Sequence, residues 1–84
     1  MSSIEIKFLF EGIIFSSVVL TNRILLSLNQ YEFSISFANP YLISKYRDSY
    51  YFILENNKFK PVYGKDEKEC ELINILQETI KKSL

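Results

Sequence analysis

Asp66-Glu67-Lys68-Glu69-Cys70-Glu71-Leu72-Ile73-Asn74-Ile75-Leu76-Gln77-Glu78-Thr79-Ile80-Lys81-Lys82-Ser83-Leu84 closes the chain, and its spacing predicts an amphipathic helix. At about 100° per residue, Leu72, Ile73, Leu76, Ile80 and Leu84 gather on one side. Glu71, Asn74, Glu78, Lys81 and Lys82 take the other side. Asp66 stands at the N-cap position with Glu69 three residues on, a spacing in which both side chains satisfy backbone N–H groups that the first turn leaves open. Asp66, Glu67, Glu69 and Glu71 crowd the start and Lys81 and Lys82 the end, as the helix dipole favours, and Glu78 with Lys82 makes an i,i+4 pair. Gly64 breaks whatever strand precedes it. A helix with one apolar face must bury that face, so the remainder of the chain is expected to supply a sheet for it to cover.

The sheet is legible upstream. Ile4, Ile6, Phe8 and Phe10 alternate with Glu5, Lys7 and Leu9, the period of a half-buried strand, and Glu11-Gly12 reads as a two-residue turn. The run from Ile13 to Leu28 spreads its apolar residues around the whole helical wheel and contains Ser16, Ser17, Val18, Val19, Thr21 and Asn22, indifferent or poor helix formers. It is therefore expected to form two strands with a turn at Thr21-Asn22. Tyr31 to Phe37 alternates most cleanly, after a turn at Asn29-Gln30. These turns set Phe10 opposite Ile13, Phe8 opposite Phe15, Ile4 opposite Val19, Val19 opposite Ile24, Leu26 opposite Phe33 and Ile24 opposite Ile35, all on one face. Asn39-Pro40 opens a short helical segment through about Arg47. Tyr50 to Glu55 and Lys58 to Tyr63 then flank a turn at Asn56-Asn57, with Glu55 facing Lys58, Leu54 facing Phe59 and Tyr50 facing Tyr63; Pro61 places the last strand at an edge. The expected fold class is α+β: one compact domain over 1–84, an antiparallel β-meander of four strands plus a later hairpin, covered by the C-terminal amphipathic helix.

Composition excludes several functions. Lys plus Arg equals Asp plus Glu at ten each, so no net field draws the chain to nucleic acid or an anionic membrane. There is no histidine, which removes the commonest general base and metal ligand together. The one cysteine, Cys70, lies between Glu69 and Glu71, whose charges disfavour the thiolate; it is expected to pack as a small side chain at the edge of the core. The acidic run at Asp66 lacks the glycine and ligand spacing of a calcium loop and is accounted for by helix-start electrostatics. No catalytic residue, metal site or cofactor is expected. Glu11 interrupts the first apolar run and the only alanine is Ala38, against a signal peptide. Thr21, Asn22 and Arg23 interrupt the second run, against a membrane span. A cytoplasmic protein is the expectation. Phe, Tyr, Met, Ile, Asn and Lys together make 39 residues against 7 for Gly, Ala, Arg and Pro, which points to an AT-rich genome of the kind that low-GC bacteria, their phages and several archaeal viruses share, and to the host cell cytoplasm if viral.

Two groups of residues suit binding. Between Tyr41 and Lys65, cations exceed anions by three and five of the six tyrosines occur, giving Tyr41, Lys45, Tyr46, Arg47, Tyr51, Lys58 and Lys60 as a candidate surface. Tyrosine and arginine favour protein interfaces, and the same mixture stacks and neutralises single-stranded nucleic acid; alternatively half the rings are core and the lysines a solvated face. On the second sheet face, Leu9, Ile14, Val18, Leu20 and Leu25 form an apolar strip that one helix cannot also cover. Either the Tyr50–Tyr63 hairpin folds back over it or it meets a copy of itself or another protein. The functional expectation is a small non-enzymatic protein-binding module that occludes a surface, as phage-type inhibitors of host defence, antitoxins and immunity proteins do. Binding of single-stranded nucleic acid or RNA through 41–65 is the alternative.

Overall fold

The computed structural model describes residues 2–23 and 30–83. Five strands, β1 (Ser2–Phe10), β2 (Ile13–Arg23), β3 (Gln30–Ser36), β4 (Ser49–Glu55) and β5 (Lys58–Phe59), form one antiparallel sheet in chain order, with helix α1 (Pro40–Lys45) between β3 and β4 and helix α2 (Glu67–Lys82) at the end. The α+β class, the meander and the terminal helix stand as the sequence implies.

Alternation builds the sheet's buried face. Ile6, Phe8, Phe10, Phe15, Val19, Phe33, Ile35, Tyr50, Phe52 and Leu54 all point to one side and are buried there. Helix α2 covers them with Leu72, Ile73, Leu76 and Ile80. Burying one such side chain contributes about 1.5–3 kcal/mol, so this shared layer supplies most of the favourable free energy of folding. Rings interlock within it: Phe8 stacks on Phe15, and Phe37 meets Tyr50 edge-on at 5.7 Å. Helix α1 closes one end of the core with Leu42; its N-cap Asn39 accepts from the Tyr41 and Leu42 N–H groups, with Pro40 at the first turn.

Both tight turns have positive φ at both central residues, 52° at Glu11 and 75° at Gly12, then 52° at Asn56 and 67° at Asn57, as a type I′ turn requires. They hold the expected pairs: Phe10 faces Ile13, Phe8 faces Phe15, Ile4 faces Val19, Glu55 faces Lys58 and Leu54 faces Phe59. The turn expected at Thr21-Asn22 does not form. Strand β2 runs through both residues to Arg23 and pairs directly with β3, so Val19 faces Ile35 and Thr21 faces Phe33. Threonine is a good strand former, its hydroxyl bonds the Ser2 carbonyl, and no glycine follows to take positive φ, so the ladder continues where a turn was expected. The strand expected over 23–28, with Ile24 and Leu26, lies outside the described residues beyond Arg23. The last strand is shorter than the sequence suggests: after Phe59 one further bond, Lys60 N–H to the Ile53 carbonyl, extends the ladder and Pro61 ends it. Tyr63 is exposed and does not face Tyr50, whose partner is Ile35. No helix among the described residues is long and apolar enough to cross a membrane.

Candidate functional site

The face of the sheet opposite α2 carries the apolar strip. Leu9, Ile14, Val18 and Leu20 are 60%, 73%, 52% and 45% exposed. The two-residue turn after Phe10 sets Leu9 beside Ile14, while Val18 and Leu20 continue along β2 with only Ser16 between. Leu25 lies outside the described residues. The β4–β5 hairpin does not fold back over this face; it extends the sheet, because β4 pairs with β3 along its whole length. Leu20 faces Ser34, which faces Tyr51, so the exposed Tyr51 ring belongs to the same face and extends it to β4, with Ser34 of β3 between. The Tyr51 phenol is shifted upward by partial burial and by the Glu32 carboxylate beside it. Where β3 leaves β2, a depression of about 210 Å³ opens on this face, lined by Glu5, Ser16, Ser17, Val18, Ser36 and Ala38.

The tyrosine- and lysine-rich stretch does not form one surface. Tyr41, Lys45 and Tyr46 converge on Glu11 at the β1–β2 turn. Both phenols donate to that carboxylate, Tyr46 at 2.8 Å, and Lys45 Nζ donates to the Tyr41 hydroxyl at 3.0 Å and lies 3.7 Å from Glu11. The Tyr41 and Tyr46 hydroxyls and the Lys45 charge hold the Glu11 carboxyl below the usual carboxylate range. Partial burial and the Glu11 hydrogen bond push the Tyr46 phenol up to about 12. Arg47 belongs to a second cluster. It pairs with Glu69 at 3.4 Å and donates to the Tyr63 carbonyl. Lys58 and Lys60 follow the Asn56-Asn57 turn at the far end of β4, about 20 Å from α1 for a strand of this length. Lys60 pairs with Glu55 there.

Glu69 is the residue that sequence reasoning placed but misjudged. Its backbone N–H donates to the Asp66 side chain, as the capping spacing implies. Its own carboxylate, only 1% exposed, accepts from the buried Tyr50 hydroxyl at 2.7 Å and from the Lys65 backbone N–H at 2.6 Å. Burial pushes the Glu69 carboxyl up, but the Tyr50 and Lys65 donors and the Arg47 charge outweigh that, and it titrates below the usual range. Gly64 is small because the chain doubles back here: a Cβ would come within 2.8 Å of the Cys70 nitrogen and of Glu69 Cβ. Cys70 is exposed and not packed at the core edge as expected, since the 100° step from Glu69 turns it to solvent. Among the described residues no group of three His, Cys, Asp or Glu side chains is placed to hold a metal. An open groove of about 370 Å³ beside Phe59 is walled by the polar side of α2, from Asn74 to Lys82.

No family model, curated protein or solved structure matches this chain.

Proposed function

We propose that this chain is a small protein-binding module that acts by occupying another protein's surface through the sheet face opposite α2. The observation that carries this reading is the set of exposed side chains Leu9, Ile14, Val18, Leu20 and Tyr51 on one face of the sheet. Apolar side chains this exposed and this contiguous mark interaction sites on small domains, and the depression beside Val18 offers a socket for a partner's anchoring side chain. With no histidine and a net charge of zero, the composition favours neither enzymatic chemistry nor a nucleic-acid mimic. Surface occlusion is the mode used by phage-type inhibitors of host defence, antitoxins and immunity proteins, and the AT-rich residue usage suits such a source.

The nucleic-acid alternative draws less support. Lys45, Arg47 and Lys60 each have a carboxylate partner, Lys65 donates to the Lys45 carbonyl, and Lys58, the remaining cation of the stretch 41–65, stands beyond the far end of β4 from Lys45. The test is affinity capture from the native host by wild type, Val18→Glu and Lys58→Glu proteins at two salt concentrations. A partner protein retained by wild type and Lys58→Glu, lost by Val18→Glu and insensitive to salt is the expected result. Retention by Val18→Glu with steep loss in salt would overturn the reading in favour of nucleic acid.

A further inference from the structure

Strand β2 lies between β1 and β3, and on the exposed face it presents Ile14, Ser16, Val18 and Leu20, none of them charged. The charges of this face stand to either side, Glu5 and Lys7 on β1 and Glu32 on β3, and Glu32 already accepts from the Tyr51 hydroxyl. Small residues flank the middle of the strip: Leu20 lies between Ser3 and Ser34, and Val18 has Ser36 on its β3 side. An uncharged central strand with small neighbours lets another sheet approach to the roughly 10 Å at which sheets pack face to face. Helix α2 is spent on the other face, where its apolar residues are buried. Val18 and Leu20 are left about half exposed.

We propose that the chain covers this face with a second copy of itself, the two sheets packed face to face about a two-fold axis along β2, so that Val18 meets Val18 and Leu20 meets Leu20. The pairing rests on the same face as the proposed protein contact and adds what keeps that face from water before a partner arrives. Charge selects the axis. Along β1 it would set Glu5 against Glu5 and Lys7 against Lys7, and along β3 it would set Glu32 against Glu32, juxtapositions that oppose association. Along β2 it brings β1 of each copy over β3 of the other, so Glu5 and Lys7 lie on the side that offers Ser34 and Ser36, and no like charges meet. Both α2 helices then lie on the outside of the pair and do not obstruct it. Three strands about 4.8 Å apart, rising about 3.4 Å per residue over roughly eight residues, present about 400 Å² in projection. Side-chain relief makes the accessible area larger, so two copies bury on the order of 1,000 Å², the lower end for a specific contact. Such a dimer is weak enough for a partner protein to displace.

Sedimentation equilibrium of the purified protein across the micromolar range tests this, with circular dichroism confirming that each variant is folded. Wild type is expected to dimerise, and Val18→Glu and Val18→Lys each to weaken the dimer by about tenfold or more, since either places two like charges at the axis. Lys58→Glu, remote from the axis, leaves the dimer unchanged. In a mixture of isotopically labelled and unlabelled chains, filtered NOE spectra should join Val18 methyls to Val18 methyls and Leu20 methyls to Leu20 methyls across the two copies. A wild type that stays monomeric, a dimer that survives both Val18 variants, or a dimer whose contacts between copies omit Val18 and Leu20 would each overturn the pairing. The affinity capture described above separates the two readings. A monomeric wild type that still captures a protein through Val18 overturns the pairing and leaves the protein contact standing, whereas a dimer with these contacts and no captured protein supports the pairing and removes the protein contact.

Discussion

Glu69 ties three separated segments together: Tyr50 on β4, the Arg47 guanidinium before it and the Lys65 N–H ahead of α2. Glu69→Gln keeps the shape but loses the charge, and should cost about 1–3 kcal/mol by urea unfolding at neutral pH. The sign of the pH effect follows from its lowered folded-state value. Relative to an unfolded carboxyl near 4.5, the stabilisation is fully present above that pH and is lost as pH falls through the folded value. Wild type should therefore lose more stability than Glu69→Gln between pH 6 and strongly acidic conditions, and equal losses would show that another group governs acid unfolding. Tyr46 behaves oppositely. Its phenol, raised from 10.0 to about 12, keeps its proton in the folded protein while the unfolded chain begins to ionise near 10, so stability declines as pH rises through that window. Tyr46→Phe should flatten that alkaline decline while lowering stability at pH 7 by loss of the Glu11 hydrogen bond, both readable from thermal midpoints. Glu11 itself occupies positive φ, a conformation costly for a side chain, which the two tyrosine donors help to offset. Nothing in the spacing of residues 11, 41 and 46 announces that meeting, because it depends on where α1 lands after β3.

Elements differ in how far local rules determine them. Asn57 sits at φ 67°, where glycine carries no Cβ cost, so Asn57→Gly should raise stability by roughly 0.5 kcal/mol, a gain of about 2–4 °C in Tm for a domain of this size. Ile35 is fully buried and Ser34 is exposed on the opposite face; Ile35→Asp should unfold the domain and Ser34→Asp should change its urea midpoint little. Comparable losses in both would contradict the observed register. Where a turn needs positive φ at two consecutive positions, as at Glu11-Gly12 and Asn56-Asn57, the residues signal it and the hairpins were readable together with the pairs next to the turn, though not the Tyr50–Tyr63 pair farther from it. Thr21-Asn22 carries no such demand, so the choice between turn and ladder was settled by pairing with β3, a contact between residues distant in sequence. The α2 cap was legible down to Asp66, since capping is local. The burial of Glu69 was not, because its partners Tyr50 and Arg47 come from another part of the chain. The scattering of Lys58 and Lys60 away from Tyr41 and Lys45 was hidden for the same reason: nearness in sequence places them at opposite ends of one strand.

At the scale of the whole molecule, a meander leaves one apolar sheet face that only α2 closes, and the helix does so by packing against β1, the strand farthest from it in sequence. Both ends of α2 are fastened across the sheet, through Glu69 to Tyr50 at its start and through Lys81 Nζ to the Asn57 carbonyl at 2.8 Å near its finish. Between those fasteners Leu72, Ile73, Leu76 and Ile80 enter the core. Each buried aliphatic side chain contributes about 1.5–3 kcal/mol, so the four together are comparable to the whole margin by which a domain of this size is stable. The sheet should therefore not survive without the helix. Nor should the helix survive alone, because an isolated segment of this length is marginal in water and half its residues would expose an apolar face. Cutting the chain in the irregular stretch between Pro61 and Lys65, where no ladder bond crosses, separates the two layers and leaves each side's contact surface intact. A fragment spanning 1–63 and a synthetic peptide spanning 64–84 should each show little ordered structure by circular dichroism, and mixing them should restore the spectrum with saturable, one-to-one stoichiometry. Leu76→Asp in the peptide should abolish the recovery, while Glu78→Gln on its outer side should not. A 1–63 fragment that folds cooperatively by itself would show that the strands close their own core and that α2 is an accessory to it.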